Sequence, residues 1–382
     1  MPTSANTESV RLLVKIDGKE EIKATGTGST WKTTSGANVV TLVVDQKLDA
    51  PDAFMLQFLS THEGQRTVFD NVKEGSQIEL GFGYDTPEVL FKGEVVYVDA
   101  EYSADGDTPS LVTIRGYDKT HRLTRGHSAK SFGDGAADMD AGGPVGDIFS
   151  GSQAGLGNVS DALSAPENAS NPTYKTRWVP RPTSTSYDFL KGQGAGRKLD
   201  INSSPVATLC FDRFEGNNPL KAVKIRFSVS TFPSYSKVRV RGWNPNTKKG
   251  FIAEVDKCSS EIDCGAANSW TPGWQRTGTA MYGSSSSGSV YDRNAEFCES
   301  KEEAQQIAQS IFDQMSLKHL TGECEVQGDP KLIPGAVVEV KGFGPRVSGK
   351  VLITEATHTI SALGQPYLCS LKFASNASGN GQ

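Results

Sequence analysis

Apolar and polar side chains alternate along much of the chain. Val96, Val98 and Ala100 are separated by more polar residues, which is the period of two typical of a half-buried β-strand. Similar runs, separated by turns rich in glycine and aspartate, recur over residues 9–120. We therefore expect a first β domain over residues 9–120, preceded by a mobile polar N-terminus at residues 1–8.

The same period returns in the second half of the chain. Ile225 and Phe227 alternate with polar residues, and so do Val238 and Val240. The pattern predicts a second β domain over residues 222–375. Because strand patterns dominate both halves, we expect a mostly β fold (β+α).

Three stretches lack this regularity. Residues 121–221 are rich in glycine and proline, and they predict a loop-rich α/β insertion between the two β domains. Residues 255–297 contain a Gly-Ser-Ser-Ser-Ser-Gly run, which indicates a flexible inserted loop. The last segment, 376–382, has the composition of a disordered tail.

One segment, residues 300–320, has the period of 3.6 that is typical of an amphipathic helix. Ser300 and Glu303 have the spacing of a capping box at its start. Gly322 follows the segment, as is common just past a helix end. We expect one long surface helix that lies over a sheet. Its apolar positions are Ala304, Ile307, Ala308, Ile311, Phe312 and Met315.

Composition argues against some classes of partner. The 382 residues carry a net charge of -5, whereas nucleic-acid binding requires clustered basic residues. No apolar run approaches the ~18 residues that span a bilayer, and the first ten residues lack the features of a signal peptide. We therefore expect no nucleic-acid partner, no membrane anchoring and assembly in the cytoplasm.

Cysteines and histidines do not form a metal-binding pattern. The six cysteines include no C-x-x-C pair, and the five histidines are scattered, so no metal and no cofactor are expected. Cys258 and Cys264 flank a short loop, where a disulfide would suit an exposed particle, whereas reducing cytosol disfavours one. Cys324 and Cys369 lie in strand-like runs, and we expect them to be buried.

Catalytic motifs are not evident in the sequence. It has no G-x-S-x-G, and neighbouring carboxylates such as Glu302 and Glu303 do not provide a pair opposed across a cleft. The acidic segment 134–140 lacks the spacing of a calcium loop. His121 and His358 fit packing at strand ends better than catalysis. We therefore expect no enzymatic activity.

The two β regions resemble each other in two places. In the first, a strand ends in Arg-Gly, an aromatic residue and Asp or Asn, which suits a strand end followed by a turn. In the second, the segment that starts at Gly75 resembles the one that starts at Gly335. The offsets differ, 242 − 116 = 126 against 335 − 75 = 260, so either the second copy has rearranged strands or only one correspondence marks a duplication. The first correspondence joins Arg115, Gly116, Tyr117 and Asp118 to Arg241, Gly242, Trp243 and Asn244.

Four motifs in order along the chain point to a family. They are GYDKTHRLTRG at 116–126, VRGWNPNTKK at 240–249, GDPKLIPGAVVEV at 328–340, and SGKVLIT at 348–354 followed by THT at 357–359. These motifs resemble those of the late control D family, the hub subunits of contractile phage tails, and the hub portion of VgrG proteins. The likeness covers about residues 85–375, and the chain departs from it at 127–196 and 255–297.

The resemblance implies a fold and a role. The fold would contain two tail-tube-like β-barrels, at residues 9–120 and 222–375. A homotrimer would then present six barrels and could join a sixfold tube to a threefold spike. The implied partners are further copies of the chain, a separate spike protein, the inner tube or its initiator, and baseplate wedge proteins. The location would be the baseplate of a virion tail or an injection particle.

Other functions remain open at this point. Exposed tryptophans at Trp178, Trp270 and Trp274 would suit a β-sandwich module that binds a receptor or a carbohydrate. A peptidoglycan hydrolase of the tail tip is a third hypothesis. The basic positions of segment 237–241 fit either a solvated strand face or an interface with an acidic partner.

Overall fold

The computed structural model divides the chain into two compact units. The first comprises Met1–His121, Glu325–Ile333 and Glu355–Leu371, and the second comprises Arg122–Cys324, Pro334–Thr354 and Lys372–Gln382. Residues 1–8 and most of 121–221, for which we predict a mobile terminus and an insertion, lie outside the described residues. The structure describes residues 10–24, 31–32, 38–59, 72–84, 86–102, 111–124, 199–211, 216–232, 234–244, 247–282, 289–294, 301–361 and 367–380.

The structure is mostly β: 55% of the described residues lie in strands and 14% in helices, which confirms the fold class that the alternating pattern predicts. The strands described are β1 (Arg11–Ile16), β2 (Lys19–Ala24), β3 (Trp31–Lys32), β4 (Asn38–Lys47), β5 (Ala53–Leu59), β6 (Gln77–Gly83), β7 (Glu88–Glu101), β8 (Leu111–Tyr117), β9 (Ala207–Cys210), β10 (Pro219–Val229), β11 (Lys237–Asn244), β12 (Lys249–Val255), β13 (Thr271–Pro272), β14 (Val290–Asn294), β15 (Leu320–Gln327), β16 (Val337–Val340), β17 (Gly349–Ser361), β18 (Tyr367–Ser375) and β19 (Ala377–Ser378). The helices are α1 (His121–Thr124), α2 (Cys264–Asn268), α3 (Gly273–Tyr282) and α4 (Lys301–Ser316), with one 3-10 turn at Ser260–Ile262.

The first unit is built on antiparallel strands around an apolar core. The strand order runs from the end of β17 through β4, β5, β8, β7, β6 and β1 to β2, with β3 beside β4. Every second residue of a strand is buried, as with Leu12 and Val14 of β1 and Leu56 of β5. This inward set produces the alternation in the sequence. Further core residues are Leu42, Phe58, Ile78, Leu80, Phe82, Phe91, Val112 and Ile114.

The second unit contains β9, β10 and β16 of a closed six-stranded β-barrel, whose other strands, β15, β17 and β18, lie partly in each unit. The order β16-β9-β10-β15-β18-β17 returns to its start, because β16 pairs with β17 as well as with β9. Strand β9 is parallel to both of its neighbours, whereas β16 and β17 are antiparallel. The barrel begins at Ala207, so the predicted boundary at residue 222 was too late. Four-residue β9 is too short for its alternation to be recognised.

Strand β11, which carries the second Arg-Gly-aromatic motif, is not part of this barrel. It is the centre of a separate three-stranded sheet, antiparallel to β12 and parallel to β14. Helix α4 packs on one face, where Val238 and Val240 meet Ala304, Ala308 and Phe312. Our placement of this strand in the second barrel was therefore wrong, because alternation identifies a half-buried strand but not the sheet to which it belongs.

Helix α4 lies inside the segment where we predict one long helix, residues 300–320, and it ends earlier. It covers Lys301–Ser316, and strand β15 already begins at Leu320. Its apolar stripe faces the three-stranded sheet, in keeping with the 3.6-residue period. Ser300 and the side chain of Glu303 lie outside the described residues, so the capping box stays a prediction. No described helix is long and apolar enough to cross a membrane.

The segment 255–297 is not a simple loop. It contains the 3-10 turn, α2, α3, β13 and β14, and it buries Ile262, Cys264 and Trp274. The prediction of a flexible inserted loop was wrong for the described part, because these elements are too short for a readable period. The Gly/Ser run at 283–288 lies outside the described residues.

The C-terminal segment is ordered as far as Asn380, contrary to the predicted disordered tail at 376–382. Asn376, Ala377 and Ser378 are fully buried, and β19 pairs with β13. The prediction was wrong because a polar composition was taken as a sign of disorder, whereas the polar groups of this segment form hydrogen bonds with other parts of the chain. Residues 381–382 lie outside the described residues.

Candidate functional site

The first Arg-Gly-aromatic motif ends strand β8 in the first unit. Gly116 lies against the neighbouring strand so closely that an added Cβ would overlap the carbonyl oxygen of Glu94. The guanidinium of Arg115 lies 6.0 Å from the ring centroid of Tyr97, a cation–π arrangement. Tyr117 is exposed. The glycine is therefore required by close packing of two strands, which is more specific than the strand bend that we predict.

Asp118 continues the motif into a buried polar cluster. Its carboxylate accepts bonds from the backbone N–H of Asp52, at 3.1 Å, and from that of Thr120, at 2.9 Å. The Asp118 N–H donates back to the carbonyl of Asp52 at 2.9 Å. Asp52 also accepts a bond from the side chain of Gln46 at 3.0 Å. All four side chains are buried. The two carboxylates of this turn are hydrogen-bonded, whereas Oε1 of Gln46 has no partner among the described residues.

His121 joins this cluster to strand β7. Its Nδ1 lies 2.6 Å from the carbonyl oxygen of Asp118, and its Nε2 lies 3.1 Å from a carboxylate oxygen of Glu94. Both ring nitrogens therefore face oxygen atoms. The side chains of His121 and Glu94 are each 7% exposed. The cluster thus joins the end of β8 to β7 through a buried contact between a histidine and a carboxylate.

The second Arg-Gly-aromatic motif has different surroundings. An added Cβ on Gly242 would overlap the ring of Phe251, a side chain rather than a backbone. The ring of Trp243 lies over Gly250 on the neighbouring strand and is 58% exposed. The side chain of Asn244 accepts a bond from the N–H of Thr247 and so forms a turn. The two motifs share their turn chemistry, but Gly116 and Gly242 do not occupy equivalent strands.

The basic positions of β11 form ion pairs with acidic residues of the strands beside it. Lys237 and Arg239 both bind Glu254 of β12, at 2.9 and 2.6 Å. Arg241 makes a bidentate contact with Asp292 of β14. The basic partners lower the pKa of Glu254 and of Asp292 through hydrogen bonds and charge. Strand pairing therefore neutralises much of the basic face that the sequence suggests.

The second correspondence, between Gly75 and Gly335, is a shared hairpin geometry. Both glycines have positive φ, +86° and +91°, which a side chain would disfavour. Gly75 donates to the carbonyl of Val95, and Val95 donates back to Ser76, at 2.7 and 2.9 Å. The Gly335 N–H donates to the carbonyl of Ile353 at 2.8 Å, and the Ile353 N–H donates to the carbonyl of Ala336 at 2.9 Å.

This geometry occurs once in each unit. In the first it opens the pairing of β6 with β7, and in the second it opens the pairing of β16 with β17. The offset of 353 − 95 = 258 between the strand partners agrees with the 260 between the glycines. Of the two correspondences found in the sequence, this one has the same hydrogen-bond geometry at both places, whereas the Arg-Gly-aromatic motifs lie in different surroundings.

His358 forms a second buried polar cluster in the first unit. Its Nε2 lies 3.0 Å from the carbonyl oxygen of Leu332, and its Nδ1 lies 2.9 Å from the hydroxyl of Tyr367. Because a carbonyl can only accept, Nε2 carries the proton and Nδ1 accepts from the tyrosine. Burial lowers the pKa of His358 to about 4 and raises that of Tyr367. The cluster joins the motifs at 328–340 and 357–359, which sequence spacing alone could not bring together.

The cysteines are free thiols where the structure describes them. Cys258 and Cys264 are not bonded to each other, so the disulfide that the loop would permit is absent here. Burial raises the pKa of the Cys258 thiol to about 12 and also raises that of Cys264. Cys324 and Cys369 are buried, as predicted. A protonated buried thiol reacts slowly with oxidants.

The tryptophans that would support a carbohydrate-binding module are not surface residues where they are described. Trp274 is 7% exposed and packs edge-on against Phe312, with ring centroids 5.2 Å apart. Trp270 packs on the core beside the 3-10 turn. Trp178 lies outside the described residues. The inference from exposed tryptophans is therefore wrong for Trp270 and Trp274.

Comparisons with known proteins indicate the fold. A tail protein of Neisseria meningitidis MC58 is 12% identical and aligns over 96% of this chain and 97% of that one, with a TM-score of 0.60. The 43 kDa tail protein of prophage MuSo2 from Shewanella oneidensis is 14% identical, over 96% and 99%, with a TM-score of 0.59. The chain has the fold of phage tail proteins. This tail-protein fold extends over almost the whole length of both relatives.

Two further comparisons give a weaker similarity than the two tail proteins do. An E. coli protein described as a component of the type VI secretion system is 13% identical over 97% of this chain and 79% of that one, with a TM-score of 0.45. A family model described as the Alg8 N-terminal domain matches residues 277–362, which is well under half of the chain. No curated protein matches.

Sequence reasoning missed some of the contacts described here. It singled out His121 and His358 but not their partners, and it treated Asn376 as part of a disordered tail. The Asn376 side chain accepts from the N–H of Cys264 and donates to the carbonyl of Ile262, at 3.1 and 2.8 Å. Nothing in its local sequence signals these partners, which lie more than 110 positions away.

Proposed function

We propose that the protein is the structural hub of a baseplate, in a contractile phage tail or a related injection particle. The observation that carries the proposal is the tail-protein fold, shared over 96% of the chain with two phage tail proteins. The motifs that resemble the late control D family support the finer assignment to a hub. Nothing in this role requires a cofactor or an enzymatic reaction.

The repeated glycine hairpin supports a two-barrel layout. One copy opens a strand pair of the closed barrel, and the other opens the β6–β7 pair in the first unit. We infer that the sheet of the first unit is the second tail-tube-like barrel of the chain. The residues involved are the Gly75 and Gly335 pairs rather than the Arg-Gly-aromatic motifs that suggested the duplication.

A chain with two such barrels suits a trimeric adaptor. Three copies in a closed ring would present six similar surfaces to a sixfold inner tube or its initiator, while the trimer axis matches a threefold spike. The partners that follow are other copies of the chain, a spike protein and baseplate wedge proteins, with no role for nucleic acid or a membrane. Assembly would take place in the cytoplasm.

The test is the number of copies in solution and in the particle. Light scattering of the purified chain, alone and with the spike protein, is expected to give three copies per complex. Electron microscopy of the particle should then show two β-barrels per chain in a ring at the tube–spike junction. One copy per particle, or a first unit whose strands form no barrel, would overturn the proposal.

A further inference from the structure

His319 is a buried histidine that joins the C-terminal segment 376–380 to the rest of the second unit. The residue is 1% exposed. Its Nδ1 lies 2.8 Å from the carbonyl oxygen of Ser230, at the end of β10, and its Nε2 lies 3.0 Å from the hydroxyl oxygen of Ser378 in β19. Because a carbonyl oxygen only accepts, Nδ1 carries the proton and the Ser378 hydroxyl donates to Nε2. These two partners therefore fit the neutral form of the ring.

The start of helix α3 packs directly on the same ring. A Cβ added to Gly273 would lie 2.4 Å from Cγ of His319, so the ring and the helix backbone are in contact. The Gly273 N–H also donates to the carbonyl oxygen of Asn376 at 2.9 Å, and β19 pairs with β13 directly before the helix. The ring therefore cannot become hydrated while the C-terminal segment stays in place.

The charged groups around His319 are basic in the part of the chain that the structure describes. Arg276 of α3 donates to the carbonyl oxygen of Ser378 at 2.7 Å. Arg346 lies before β17, and its carbonyl oxygen accepts a bond from the C-terminal segment at 2.9 Å. Burial lowers the pKa of His319, and the charges of both guanidinium groups lower it further. The ends of β10 and α4 and strand β19 contribute carbonyl groups and a hydroxyl group, and Lys318 is exposed.

We propose that His319 is a pH-sensitive switch, whose protonation in mild acid opens the C-terminal segment 376–380 while the rest of the fold stays closed. An imidazolium carries a hydrogen on Nε2, so the Ser378 hydroxyl can no longer donate to that atom. It also places a third positive charge beside Arg276 and Arg346. Opening removes both penalties because it hydrates the ring and separates it from the segment. This inference goes beyond the proposed function and does not depend on it.

The direction of the pH effect follows from the two states of the segment. With the segment closed, the pKa of His319 lies below its ordinary value of 6.5, and with the segment open it returns towards that value. As the pH falls below about 6.5, the open form binds a proton that the closed form does not. Opening is therefore favoured by acid and reversed as the pH rises. We expect the opening equilibrium constant to increase about threefold or more between pH 7 and pH 5.

Hydrogen exchange of the full-length chain, followed by mass spectrometry at pH 7 and pH 5, tests the switch. Labelling times are scaled to the intrinsic exchange rate at each pH. Peptides that contain residues 376–380 should lose protection at pH 5, whereas peptides from β5, which report opening of the first unit, should lose less. His319→Gln can donate to the Ser230 carbonyl and accept from the Ser378 hydroxyl, but it does not titrate. Its C-terminal segment should therefore keep its protection better at pH 5.

Two further variants separate the local charges from the overall charge. Arg346→Gln removes one positive charge that acts on His319, so the loss of protection in acid should be smaller. Lys221→Gln removes the same charge at an exposed lysine of β10 and should leave the loss unchanged. Circular dichroism shows whether each variant folds, and Arg346→Gln decides if His319→Gln does not fold. The inference is overturned if the unmodified segment stays protected at pH 5, or if the deciding variant loses as much protection as the unmodified chain.

Discussion

At the scale of residues, the buried histidines His121 and His358 follow different rules. His121 has both ring nitrogens facing oxygen acceptors, one of them on Glu94. His358 has one acceptor, the carbonyl of Leu332, and one donor, the hydroxyl of Tyr367. The second arrangement fits the neutral ring of His358. Both positions could be chosen from sequence, but the hydrogen-bond partners of each ring could not.

The neutral state of His358 predicts a pH dependence of stability. Its pKa is about 4 in the folded protein and about 6.5 when unfolded. As the pH falls from about 6.5 to 4, the unfolded chain binds a proton that the folded chain does not. The free energy of unfolding therefore falls over this window, by up to about 3 kcal/mol from this residue, and is regained as the pH rises.

Urea unfolding at several pH values from 4 to 7 measures this effect. His358→Gln keeps a donor and an acceptor but does not titrate, so its stability should fall less over the same window. Burial lowers the pKa of His319 in the same direction, which is why the difference between the two proteins is the readout. If the stability of the unmodified protein and that of His358→Gln depend on pH in the same way, His358 is not the neutral, buried group described here.

Close strand packing predicts a large effect of a small change at Gly116. Gly116→Ala would place a Cβ against the backbone oxygen of Glu94, so the strand pair must separate. Overpacking of this kind costs roughly 1–3 kcal/mol. Gly250→Ala is the control, because its nearest atom is the Trp243 ring at 3.7 Å. The midpoint of denaturant unfolding is measured for both variants. Equal losses of stability in Gly116→Ala and Gly250→Ala would contradict the prediction, because they would show that β8 and β7 separate at little cost.

At the scale of elements, the C-terminal segment holds the short helices of the second unit in place. The side chain of Asn376 bonds the backbone of Ile262, at the end of the 3-10 turn, and that of Cys264, at the start of α2. Arg276 of α3 donates to the carbonyl oxygens of Ser378 and Gly379 at 2.7 and 2.8 Å. The 3-10 turn and α2 are only three and five residues long, so their order depends on contacts with the distant C-terminal segment.

Asn376→Ala tests this dependence. It leaves buried partners unsatisfied and is expected to lower the free energy of unfolding by about 2–4 kcal/mol. The bond from Asn376 to the Cys258 sulfur, at 3.2 Å, lowers the pKa of that thiol, so its loss alone would slow alkylation. We expect faster alkylation of Cys258 because loss of order in this region exposes the buried thiol. Asn217→Ala, at an exposed asparagine, is the control and should cost under about 0.5 kcal/mol. Unchanged labelling of Cys258 would show that the segment is not needed to order this region.

At the scale of the whole molecule, the sequence predicted the class of fold better than its layout. The period of two identified β8 and β11, which bury one face, and also β10, where Ile225 and Phe227 are only half-buried. It could not assign β11 to a separate sheet, because a strand of the barrel and a strand of the three-stranded sheet produce the same alternation. It also could not join β9 to β16, because that pairing depends on residues far apart in the chain. The Gly75 and Gly335 correspondence was readable because positive φ restricts these positions to glycine in both hairpins.

The closed barrel constrains the order in which the chain can fold. Ala207 of β9 pairs with Val338 of β16, so 338 − 207 = 131 residues separate the partners. At roughly 5–20 residues per second, a ribosome needs about 7–26 seconds to synthesise that stretch. During this time the β9 edge that faces β16 has no partner, and an unpaired edge is a template for wrong pairing. The barrel strands should therefore be most prone to aggregation while the chain is still being translated, and late pairing across long separations makes closure slow.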